Sequence, residues 1–305
     1  MKTKFFLLFL VLFCNTFYGQ NIRDKFIFDS IQPYINNIKL SKTEYYSLKK
    51  ALLTLDEKYG YDADYHYRLL NKSYANNDID FFKVQLSILV EFYGFNLAYM
   101  NESESYFNAI IKDFLRDWFK KMYLKNHFIW LDKNFDKQID QRVLNEIGTK
   151  DQLVNNYSSE IYRINKLDSI EKGKIFQVLR NFFKENILNF HTIVKKNGVF
   201  PTAHSFALIQ NDFGVAFTHI YQSKNDYKNV FELFYPFYKK AYLNNEITYM
   251  NFRNYDNFSF LHNGVQKFGL IKIQNIPLEF KKNNDEIPIE NIDFMIEAKK
   301  EFKWY

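Results

Sequence analysis

Along most of this chain apolar residues recur at helical spacing, and the breaks between runs carry residues that start or stop helices. A helix with one apolar stripe has to bury it, so the pattern restricts the fold to helices packed on helices. Between residues 106 and 124, Phe107, Ile110, Ile111, Phe114, Leu115, Trp118 and Met122 fall on one stripe and read as core. Ser41-Lys-Thr-Glu44 has capping-box spacing and opens a helix that Gly60 ends. Helices are expected over 65–74 and 81–93, joined across Asn76-Asn-Asp78 with Gly94 as the stop, and over 139–153 and 170–196, with Gly198 and Pro201 closing the last. Residues 203–222 read as a buried helix. So do residues 227–242, with Val230, Leu233, Phe234, Phe237 and Ala241 inward and Pro236 bending it. At Phe258 the pattern changes: Asn263-Gly264 lies between two short apolar runs, 258–261 and 265–273, and reads as a β-hairpin. A short helix over 292–302 closes the chain. The expected fold is mainly α: an N-terminal antiparallel helical region, then a helical domain with a small C-terminal β-hairpin.

The first residues read differently. Lys2 and Lys4 precede an uninterrupted apolar run over 5–13, and more polar residues follow as far as Gln20. That is the layout of a secretory signal peptide, with a run too short to span a bilayer and a cut expected after Gly19. Cys14 is a candidate lipid anchor, disfavoured because bulky Phe13 precedes it where a small residue is wanted. The mature chain then keeps no cysteine, which excludes disulfides and thiol catalysis, and its formal charge falls from +6 to +4 with the loss of Lys2 and Lys4. No basic block marks a nucleic-acid surface, and no second apolar run is long enough for a membrane span. The chain is 47% hydrophobic, ample for a core, so general disorder is excluded. The expected organisation is a signal peptide over 1–19, a helical region over 20–135 with the junction at 126–136, and a second domain over 136–305. The expected location is secreted or periplasmic.

Two resemblances follow from the residues. The pair of helices over 65–94 is similar to a tetratricopeptide hairpin through Tyr74-Ala75, the Asn-Asn-Asp turn and Gly94-Phe95, although Leu70 and Phe82 are bulky at the crossing and no second unit recurs. From about residue 140 onward, Asp151-Gln152, Gly198-Val-Phe-Pro201, Thr218-His219, Asp256-Asn257, Gln266-Lys-Phe-Gly269 and Pro288-Ile-Glu290 stand in that order. The series resembles a bacterial family catalogued as a domain of unknown function, whose pattern runs Asp-Gln with a following Arg, Gly-Trp-Pro, Gln-His, Asp-Arg, Gly-x-x-Gln-x-Tyr-Gly-Thr-Gln and Pro-Ile-Glu. This chain departs from it at Asn155 and Asn257, where the family has Arg, and at Asn263, Phe268 and Leu270. Without both guanidiniums, a carboxylate or phosphate would lose its forked donors.

The candidate site residues lie in that series. His219 is a candidate general base or acid oriented by Asp256, or a buried histidine bonding a backbone carbonyl. Asp256 either orients His219 or caps a turn, and Gln266 either presents its amide to a ligand or satisfies buried backbone groups. Asp151 and Gln152 either join the cluster or sit solvated at a helix boundary, and Gly269 relieves a backbone constraint. The six histidines, His66, His127, His191, His204, His219 and His262, show no metal-ligand spacing, and no Gly-rich phosphate loop or Gly-x-Ser-x-Gly elbow appears, so neither metal nor cofactor is implied. Two functions stand open. One is a binding module with a groove around His219, Asp256 and Gln266 for a protein or small envelope ligand. The other is a hydrolase-like enzyme using His219 with Asp256, Gln266 acting as a polarising donor.

Overall fold

The computed structural model describes residues 21–97, 100–164, 167–208, 214–275 and 286–304. The expected signal peptide lies outside them. The protein is mainly helical, and among the described residues there is no strand. By its contacts the chain divides into two units: Ile27–Phe217, and Thr218–Tyr305 together with the N-terminal residues up to Phe26. The boundary expected near residue 135 lies inside the larger unit.

In the larger unit, the start is formed by the end of α1 (Ile22–Ser30) and by α2 (Gln32–Ile35). Helix α3 (Lys42–Tyr59) begins as its sequence dictates: the Glu44 N–H donates to Ser41 Oγ, and the Ser41 N–H donates to Glu44 Oε2 at 2.8 Å. It buries Tyr45, Leu48, Leu52 and Leu55, one face at steps of three and four. Helices α4 (Ala63–Ala75) and α5 (Ile79–Tyr93) form the expected hairpin, turning at Asn77 with φ +59°. Their core holds Leu70, Phe82, Leu86, Leu89 and Val90.

The stripe over 106–124 is not one helix. Helix α6 (Phe107–Ile111) stops, four residues turn, and α7 (Arg116–Lys133) starts anew. The turn resets the phase, so Phe114 is 69% exposed while Leu115 and Phe119 are buried. The turn Phe135–Lys137 then leads into α8 (Gln138–Ile164), which pairs with α9 (Ser169–Asn197). Asp168 caps α9 through the N–H groups of Ile170 and Glu171. The open end of the pair is tied by Asp140, which accepts from Lys196 Nζ at 3.0 Å and Asn197 Nδ2 at 2.9 Å. Residues 203–205 form a turn, 209–213 lie outside the described residues, and the described helix there is only α10 (Gly214–Tyr221), so the helix expected from 203 starts later.

The smaller unit is built on α11 (Tyr227–Leu243), α12 (Met250–Asn263) and α13 (Ile292–Phe302). Helix α11 keeps Pro236 inside it and buries Val230, Phe231, Phe234, Tyr238 and Ala241, whereas Leu233 is 38% exposed. The β-hairpin expected over 258–273 is absent. Residues 258–261 continue α12, and Gly264, at φ +74°, ends that helix with its N–H donating to Phe260 O at 2.8 Å. Asn-Gly serves equally as a helix C-terminus, and the helical stripe of Phe252, Tyr255, Asp256 and Ser259 decided the outcome.

Candidate functional site

Beyond Gly264 the chain runs extended and meets the late Pro-Ile-Glu segment. The Gln266 N–H donates to Pro288 O at 2.9 Å and the Glu290 N–H donates to Gln266 O at 2.8 Å, a single parallel bridge between Gln266 and Ile289. Two motifs distant in sequence thus share one backbone pairing. The Gln266 amide is used in place: Oε1 accepts from the Ile271 N–H at 2.9 Å, and Nε2 faces the carbonyls of Ile271 and Ile287 at 3.4 and 3.5 Å. Of the two roles open to Gln266, the structure shows it satisfying buried backbone groups.

Asp256 projects from α12 into the same loop and is wholly buried. Oδ1 accepts from the N–H groups of Lys267 at 2.8 Å and Phe268 at 3.0 Å, while Oδ2 accepts from Leu270 at 3.0 Å. Successive N–H groups turned onto one anion form a nest, and here the anion belongs to the protein itself. Gly269, at φ +72°, makes the turn possible, and a Cβ there would lie 2.9 Å from Met295 Sδ. Burial pushes the Asp256 carboxyl up to about 6, against the opposing pull of the loop N–H groups. Lys299 stands close enough to feel Asp256, yet burial holds its ammonium below the usual lysine range. On the other side of the loop Phe268 is buried, with ring centroids 5.3 Å from Phe252 and 5.5 Å from Phe294, and Lys267 Nζ lies 4.8 Å over the Phe294 ring.

The remaining candidates do not join this arrangement. His219 is partly buried on α10, and none of the hydrogen bonds to the Asp256 carboxylate comes from it, so Asp256 is not its orienting group. Asp151 is buried in the interior of α8, not solvated at a helix end, and Gln152 beside it is partly buried. At the positions where the resembled family carries arginine, the Asn155 carbonyl accepts the Ser158 and Ser159 hydroxyls, and Asn257 is exposed on α12. Among the described residues no group of His, Cys, Asp and Glu is disposed to hold a metal ion, and no helix is long and apolar enough to cross a membrane.

Two polar clusters are marked by no motif in the sequence, one of them because its members are also far apart along the chain. Tyr242 Oη donates to Asp24 Oδ2 at 2.5 Å and accepts from Trp304 Nε1 at 2.7 Å, tying residues near both chain ends to α11. In the larger unit His66 Nε2 lies 2.8 Å from Asp56 Oδ2, and its ring stacks on Tyr61 at 4.1 Å. The His66 ring is wholly buried, so the imidazole itself is closed to a substrate, while Asp56 keeps a partly exposed edge. Comparison with known protein families, characterised proteins and solved structures finds no match to this chain.

Proposed function

We propose that the protein is a secreted or periplasmic binding module, a diverged member of the family it resembles, that presents the loop over 264–271 to a protein or small envelope ligand. The observation that carries this reading is the state of Asp256. A carboxylate held by three backbone N–H groups acts as an internal brace and gives the loop one fixed shape, which favours recognition by lowering the entropy lost on binding. The hydrolase reading would need that carboxylate beside His219. The rim of the loop offers charges for a ligand: Lys267 over its aromatic ring, and Glu290, whose Oε1 lies 2.8 Å from Lys228 Nζ. The secretory layout of residues 1–19 supports the location, and the α4–α5 pair, with its tetratricopeptide-like features, supports an interaction role.

A thermal-shift screen of peptides and envelope glycans against the mature protein tests the reading. A binder should raise the melting temperature of the wild type and of His219→Ala alike, with a much smaller rise for Lys267→Ala. Turnover of any screened compound that is lost in His219→Ala would overturn it in favour of the hydrolase.

A further inference from the structure

Helix α3 buries one side and leaves an ordered stripe on the other. Tyr46, Lys49, Lys50, Leu53, Thr54 and Glu57 line a shallow depression of about 300 Å³ along its outward face. They recur at steps of three and four, and Tyr46 and Leu53 are 47% and 45% exposed. Exposed apolar residues are ordinary singly, so the order of charges matters more. Lys49 is already engaged, with Nζ 2.6 Å from Asp78 Oδ2 and 4.0 Å over the Phe81 ring. Lys50 and Glu57 are exposed and have no ion-pair partner among the described residues.

Glu57 lies seven positions beyond Lys50, roughly 10 Å along the axis, with Leu53 and Thr54 midway. Set two such helices antiparallel about a twofold axis through that midpoint, and each Lys50 meets the partner's Glu57. Leu53 then packs on the partner's Leu53 and Thr54, and Tyr46 falls level with the partner's Tyr61, just past Gly60 where the chain leaves the helix. A parallel pairing would set Lys50 against Lys50. The stripe is therefore complementary to itself in one orientation only, as an isologous contact requires. We infer that the outward face of α3 is a self-association surface, and that a second copy of this chain docks on it antiparallel. One helix face covers less than the roughly 800 Å² per partner of a standard stable interface, so the dimer is weak and depends on concentration. The inference is independent of the loop over 264–271, so it stands or falls apart from the proposed binding function.

Sedimentation velocity over a concentration series of the mature protein tests it. The wild type should pass from monomer to dimer. Lys50→Glu and Glu57→Lys should each weaken association by on the order of tenfold, since each replaces two attractive pairs with two repulsive ones. An equimolar mixture of the two variants should recover dimer. In the mixed pair the carboxylate introduced at position 50 of one chain meets the ammonium introduced at position 57 of the other, and the unaltered Lys50 meets the unaltered Glu57. Leu53→Asp should weaken association with no such rescue. All three positions lie on the surface, and circular dichroism verifies the fold. A wild type that stays monomeric, single variants that associate as the wild type does, or a mixture that fails to recover dimer would each overturn the inference.

Discussion

Asp256 is the residue on which the loop depends. It replaces solvent for three backbone donors that the loop turns inward, and among the described residues no other side chain accepts from them. Asp256→Ala should therefore cost about 3–5 kcal/mol, since each buried N–H left without an acceptor costs roughly 1–3 kcal/mol and partial relaxation offsets some of the sum. Asp256→Asn keeps one acceptor oxygen but turns an amide donor toward the Leu270 N–H, and should cost less, about 1–3 kcal/mol. Urea unfolding of both variants checks the order; an alanine variant with the wild-type midpoint would remove the bracing role. Part of this was legible in the sequence. Gln within an extended segment had a backbone-satisfying role open to it, and that is the role found, whereas Asp256, read as a cap of its own turn, sits inside α12 and braces a loop that begins eleven residues on. Which N–H groups Asp256 would reach was not legible, because that follows from the helical course of α12 and the left-handed Gly269.

At the scale of elements, boundaries written in local chemistry were readable and phase changes were not. The Ser41–Glu44 box, the stops at Gly60 and Gly94 and the closing helix Ile292–Phe302 follow from side chains within a few residues of each boundary. The break between α6 and α7 carries no Gly or Pro. The hairpin expected around Gly264 failed because Asn-Gly suits two backbone outcomes. Gly94 shows how an end can also be a packing constraint. It has φ +64°, and a Cβ there would lie 2.5 Å from the Trp130 ring, which is itself buried. Gly198 has nearly the same backbone, φ +66°, with nothing within 4 Å of a Cβ. Gly198→Ala should thus lose about 1 kcal/mol for the left-handed backbone alone. Gly94→Ala should lose about 3 kcal/mol or more, because Trp130 must also move. Equal losses in denaturant titrations of the two variants would show that the contact with Trp130 carries no cost.

At the scale of the whole molecule, the smaller unit recruits residues from both ends of the chain and brings two buried carboxylates with it. Asp24, held by Tyr242 and 2% exposed, is pushed by burial up to about 6, as Asp256 is. Unfolded, each would titrate near 3.9. A folded-state value above the unfolded one means the native protein binds protons more tightly. The associated stability is complete below about pH 4 and is lost as the pH rises through about 6. In the larger unit Asp78 and Asp140 go the other way. Burial raises both, but Lys49 and Tyr45 around Asp78, and Asn197 and Lys196 around Asp140, outweigh it and hold them below the usual range, so their stability is lost only at more acidic pH. Between about pH 7.5 and pH 5 Asp24 and Asp256 act on the smaller unit, whereas Glu104, also raised by burial, belongs to the larger one; acidification should stabilise the smaller unit by on the order of 1 kcal/mol for each of the pair, about 2–4 °C in melting temperature apiece. Asp24→Asn and Asp256→Asn should each remove about half of that rise, and the double variant nearly all of it. Thermal melts of the four proteins at the two pH values decide the matter. A double variant that keeps the full wild-type rise would place the proton uptake elsewhere, and a wild type that melts lower at the acidic value would reverse the sign assigned to both groups.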